Sequence, residues 1–112
     1  METTEAVLLR IYLNEGIKWE HRPLYEVVVT KARENGLSGA TVLRGPMGFG
    51  RSTEMHTAKI LDLSINLPII VEIVESEAKI TAFLAVLDGM LAGGLVTIEK
   101  VRVVSLPPAA KQ

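Results

Sequence analysis

Two stretches of the chain alternate with a period of two and are apolar on both faces, which leaves few folds open. In residues 6–13, Val7, Leu9, Ile11 and Leu13 fall on one side, and Leu8, Arg10 and Tyr12 on the other. In LPIIVEIVE, residues 67–75, Ile69, Val71 and Ile73 share one side, and Ile70, Glu72 and Val74 the other. Successive side chains of a strand point to opposite faces of its sheet, so both runs read as strands. The sides with Val7, Leu9, Ile11 and Leu13 and with Ile69, Val71 and Ile73 demand a cover. The even-numbered sides, with Leu8, Tyr12, Ile70 and Val74, are too apolar for a solvated face.

The segments between supply one cover. After NEGIKWEH breaks the first strand, Pro23 fits the first turn of a helix, where its missing N–H does no harm. Leu24, Val27, Val28 and Ala32 make an apolar stripe, and Gly36 fits the left-handed position past the helix end. SGATVLRG reads as a short strand, and residues 51–66 fit neither period and read as an extended arm or loop. Ser76 is a plausible N-cap, and Ile80, Phe83, Leu84, Leu87 and Leu91 repeat at helical spacing until Gly93-Gly94 stops the pattern. LVTIEKVRVV is the last strand. The order βαββαβ predicts an α+β, ferredoxin-like fold: one antiparallel sheet with two helices on one face. The other face is then bare, and another copy of the chain is the simplest cover for it.

Residues 1–106 are expected to make one domain, and residues 107–112, which begin Pro107-Pro108, a flexible tail. A net charge of −1 gives no basic surplus for nucleic acid. The absence of cysteine excludes disulfides and thiolate chemistry and fits a cytoplasmic protein. The N-terminal METTEAVLLR has no basic leader, and the uncharged run 63–71 is too short to cross a bilayer, so no membrane insertion is expected.

The stretch RGPMGFGRS carries Gly45, Gly48 and Gly50 ahead of Arg51 and Ser52. It spells G-x-x-x-x-G-R-S, but a phosphate loop of the Walker type needs lysine where Arg51 stands and a helix starting at the loop. Pro46 also removes an N–H from the loop. A nucleotide-hydrolysing P-loop is therefore not the reading. A strand end or turn accounts for Gly45 and Gly48 but not for Arg51 directly after Phe49-Gly50.

Gly39, Thr41-Val42 and then Gly48-Phe49-Gly50-Arg51 resemble, in order and spacing, the second strand and loop root of the PII signal-transduction proteins. The segments RPLYEVVVTKARENGLSGATVLRGPMGFG, MHTAKILDLSINLPIIVEIVE and LAGGLVTIEKVRVV resemble the PII-like family catalogued as domain of unknown function 190. The resemblance implies a ferredoxin-like subunit, a homotrimer, and clefts between subunits for a small anion such as an adenine nucleotide. By the same resemblance Gly39 and Thr41 would lie near the base, and Gly48, Phe49, Gly50 and Arg51 along the phosphates. Gly93 and Gly94 would line the far wall, and Arg102 would supply a second cation. Glycine lets backbone N–H groups approach an anion, and arginine adds a forked, charged contact.

The chain also departs from the PII pattern. Leu95 and Val96 stand where PII proteins carry a lysine, Ser52 stands in place of a glutamine, and no tyrosine occurs between Arg51 and Leu67. These departures point away from ATP and oxo-acid sensing and exclude tyrosine modification in the arm. A nucleoside monophosphate tolerates the missing lysine.

Other residues leave alternatives open. His56 and His21 are far apart, so a metal site needs His56 with Glu54 or three copies of His56 around an axis. A small metal-handling or hydrolytic domain using His56 and Arg51 is one alternative function, and a structural trimer without ligand is another. No nucleophile, base and orienting group are suitably spaced, so no catalytic residue is assigned and no cofactor is named. Trp19 reads either as packing over a sheet edge or as a contact for a partner protein. The leading expectation is a non-enzymatic regulator whose 51–66 arm signals to a protein target.

Overall fold

The computed structural model of the chain describes residues 1–49 and 66–109, and the backbone of residues 56–57. The chain runs through β1 (Thr3–Asn14), β2 (Lys18–Trp19), β3 (Arg22–Pro23), α1 (Leu24–Glu34) and β4 (Thr41–Arg44). It continues through β5 (Met47–Gly48), β6 (His56–Thr57), β7 (Pro68–Glu75), α2 (Glu77–Val86) and β8 (Leu95–Val104). The main sheet has the order β4-β7-β1-β8, and each neighbouring pair is antiparallel. This is the expected ferredoxin-like, α+β arrangement.

Both helices cover the same sheet face. Val7, Leu9, Ile11 and Leu13 of β1 stand opposite Glu75, Ile73, Val71 and Ile69 of β7. All eight are buried, and the seven apolar ones share one core with Leu24, Val28 and Ala32 of α1 and Ile80 and Phe83 of α2. Burying a side chain of this kind contributes about 1.5–3 kcal/mol, enough to override the weak helix propensity of the Val27-Val28-Val29 run. Val27 and Val28 are accordingly buried within α1. Gly36, just past that helix, takes a left-handed φ of +74°.

Ser76 caps α2 as expected, its hydroxyl accepting from the Lys79 N–H at 3.3 Å. The helix is shorter than its apolar periodicity predicts. It ends at Val86 with Leu87 as its cap, well before Gly93. Gly89 adopts φ +83°, which only glycine enters readily, and the chain leaves the helix in turns. Met90 and Leu91 still pack on the core from those turns. The break after β1 holds a small ribbon that the sequence did not announce. Lys18-Trp19 pairs with Arg22-Pro23 around Glu20 and His21, both at positive φ (49° and 69°), the geometry of a tight primed turn.

Among the described residues the other sheet face carries no layer. Leu43, Ile70, Tyr12 and Leu95 form an apolar row across all four strands. The next row is polar, with Thr41, Glu72, Arg10 and Thr97, and beyond it stand Val74, Leu8 and Glu99. Leu43, Val74 and Leu95 are each more than two-fifths exposed. Residues 105–109 have no regular structure. No helix among the described residues is long and apolar enough to cross a membrane.

Candidate functional site

The glycine stretch forms a hook where β4 leaves the sheet. The Gly45 N–H donates to the Pro68 carbonyl at 2.9 Å, and β5 pairs Gly48 with His56. A methyl group at Gly48 would lie 2.8 Å from Cγ of Pro68, so any side chain here would force the proline ring to shift. Phe49 follows, three-quarters exposed. The returning end is tied down as well. Asn66 Oδ1 accepts from the Gly16 N–H at 2.8 Å, and the Leu67 carbonyl from the Glu15 N–H at 3.0 Å. Arg44 Nε forms an ion pair with Glu15 Oε1 beside them. Gly50 and Arg51 lie outside the described residues, as do the side chain of His56 and most of the expected 51–66 arm.

Gly93 and Gly94 sit in the turn before β8. Gly93 has φ +76°, and the Gly94 N–H donates to the Leu91 carbonyl at 2.9 Å. This turn is at the same end of the sheet as the hook but on the opposite edge. Three interstrand spacings separate the edges, about 14 Å.

Thr41 and Gly39 belong to the β4 edge. Thr41 begins β4 and stands on the bare face beside Glu72. Arg10 binds two carboxylates on that face: its Nε donates to Glu72 Oε2 at 2.8 Å and its Nη1 to Glu99 Oε1 at 3.3 Å. The hydrogen bond to Glu72 raises the pKa of Arg10 further, so its guanidinium stays charged.

Gly39 is exposed, and no atom lies within 4 Å of where its Cβ would be. Arg102 is near the far end of β8, about 26 Å along the strand from Gly94. It lines an open cleft of about 400 Å³ with Glu5, Glu77 and Lys100.

Within one chain, the described candidates therefore do not converge. They divide into a β4-edge group (Gly39, Thr41, Gly48 and Phe49) and a β8-edge group (Gly93, Gly94 and Arg102). Each edge carries one group near the hook end and one near the opposite end. Among the described residues no cluster of three His, Asp or Glu side chains suits a metal ion.

One polar group escaped the sequence reading. Glu75 is buried at the end of β7, on the side shared by Ile69, Val71 and Ile73. Its carboxylate accepts from the Ser38 hydroxyl at 2.5 Å, the Ser38 N–H at 2.7 Å and the Ser76 N–H at 3.1 Å. A lone glutamate continuing an apolar alternation was the available signal. The bonds from Ser38, outweighing the cost of burial, hold the carboxyl below its usual range. A depressed carboxyl stabilises the fold above its unfolded pKa, and that contribution is lost as pH falls through the folded value. Wild-type protein should therefore lose melting temperature below about pH 4.5, and Glu75→Gln should lose less over the same range in acid thermal melts. Equal slopes for the two proteins would count against an ionised Glu75.

Comparison with known proteins agrees with this fold. Residues 6–103 match the family model for domain of unknown function 190, described as an uncharacterized ACR. A UPF0166 protein of Aquifex aeolicus (strain VF5) is 39% identical over 106 residues, 95% of this chain and 100% of that protein. Among solved structures, CPII from Thiomonas intermedia K12, bound to ADP and bicarbonate, superimposes with a TM-score of 0.69 at 17% identity, covering 91% of each chain. A putative PII-like signaling protein from Thermus thermophilus gives a TM-score of 0.61 at 18% identity, over 92% of this chain and 91% of that one. The fold is thus PII-like, and the chain belongs to the domain of unknown function 190 family.

Proposed function

We propose that this chain is a non-enzymatic, PII-like regulatory protein of the cytoplasm. It acts as a homotrimer that takes a small adenine nucleotide in clefts between subunits. The observation that carries the reading is the division of the candidate residues between the two outer edges of a sheet whose one face, uncovered among the described residues, carries an apolar row from edge to edge. A single chain holds only half a cleft on each edge. Neighbours that cover each other's bare faces side by side, with sheet ends aligned, set the β4 edge of one against the β8 edge of the next. The hook with Gly48 and Phe49 then meets Gly93-Gly94, and the Gly39 end meets Arg102.

In this arrangement Gly39 and Thr41 flank the base, and Gly48, Phe49, Gly50 and Arg51 follow the phosphates. Gly93 and Gly94 form the facing wall, and Arg102 adds a cation. CPII, whose fold this chain shares, was solved with ADP bound. Ligand contacts at the root of the arm would bias its order and so signal to a protein target.

Light scattering on purified protein, followed by calorimetric titration with AMP, ADP and ATP, tests the proposal. A trimer that binds AMP or ADP near micromolar affinity, about −8 kcal/mol, is the expected result. A stable monomer, or silence across all three nucleotides, overturns it.

A further inference from the structure

Glu75 is the one charged side chain buried among the described residues, and its position in the sheet explains what it holds. The β4–β7 register pairs Thr41 with Glu72 and Val42 with Val71. Counting back along both strands puts Ser38 opposite Glu75, yet the backbone ladder starts only at Thr41. The Glu75 side chain stands in for the missing rungs. Its Oε1 takes both donors of Ser38, and its Oε2 takes the Ser76 N–H at the start of α2. A carboxylate has the acceptor capacity for all three donors, which the isoleucine or valine expected from the alternation lacks.

The segment it holds has few other supports. The Leu37 N–H donates to the Ala32 carbonyl at 3.1 Å, and Ala40 packs on the core. Gly39 lies between them with no atom packed where its Cβ would be. The course of the backbone from Ser38 to Ala40 thus depends on the Glu75 carboxylate.

We infer that Glu75 is a positioning residue for the ligand cleft: by holding Ser38 it sets the backbone of Gly39, which flanks the base ahead of Thr41. This rests on the nucleotide reading above. It assigns to Glu75 no contact with ligand, only control of the wall that makes one.

The test compares full-length wild type with Glu75→Gln, Ser38→Ala and Ser38→Thr. Amide exchange across residues 38–41 reads the latch, and titration with adenosine, AMP and pyrophosphate reads the cleft. Glu75→Gln and Ser38→Ala should speed exchange at Ser38 about tenfold, the size of one lost hydrogen bond. Both should weaken adenosine and AMP by a common factor of about ten and leave pyrophosphate unchanged. Ser38→Thr, which keeps both donors, should match wild type. Unchanged exchange and affinity in Glu75→Gln overturns the inference, as does an equal loss for all three ligands, which marks general destabilisation. A wild type that binds none of the three overturns the cleft and Glu75's role in it, while the exchange rates still report the Ser38 latch separately.

Discussion

Leu43→Arg is expected to convert the proposed trimer into folded monomers. Leu43 sits on the outer strand β4 and faces away from the helices, at one end of the apolar row that includes Ile70, Tyr12 and Leu95. It is nearly half exposed in the single chain, so arginine there meets solvent and leaves the core intact. Covered by a neighbour, the same arginine is desolvated without a partner. Losing the apolar contact alone costs about 2 kcal/mol per copy. Three copies compound this to about 6 kcal/mol, roughly four orders of magnitude in the association constant. Light scattering should report monomer mass, with far-ultraviolet circular dichroism unchanged and nucleotide binding lost. A trimer that survives the substitution would mean that the bare face is not where copies meet.

Phe83→Ala is expected to cost the most stability of any single truncation. Phe83 is 2% exposed and is the largest of the fully buried side chains. It lies on α2 between Ile80 and Leu87 and points into the core beneath β1 and β7. Truncation removes a full ring and leaves a cavity that the flanking strands cannot close, about 3–5 kcal/mol in comparable cores. In a domain whose whole stability is of order 5–15 kcal/mol this is a large fraction. The melting temperature should fall by at least about 12 °C. A drop of a few degrees would show that α2 is not packed through this residue.

The legible part of the fold came from periodicity. Alternation in residues 6–13 and 67–75 identified β1 and β7, and the spacing of Ile80, Phe83 and Leu87 identified α2, because burial repeats with the period of the element. The same spacing overran the end of α2. Met90 and Leu91 are apolar because they pack from a turn, and periodicity does not distinguish a packed turn from another turn of helix. The β2–β3 ribbon was hidden for a different reason. Its turn uses Glu20 and His21 at positive φ, where asparagine or glycine is the usual mark. Glu75 was missed because its partner Ser38 is 37 residues away, and only the sheet register brings the two together.

A sheet face left uncovered by the helices was already implied by the sequence, since Leu8, Tyr12, Ile70 and Val74 alternate with a second apolar set and a strand has only two sides. Two helices can cover one side of a four-stranded sheet and no more. The local chain also carries its own reasons for Gly36 and for the Ser76 cap. Tertiary structure alone decided how the glycines are used and where they sit. Pro68, from another strand, crosses Gly48 so closely that a side chain there would force the proline ring to shift. Gly39 and Gly93-Gly94 lie on opposite edges because strand order, which depends on contacts far apart in the chain, puts β7 and β1 between them.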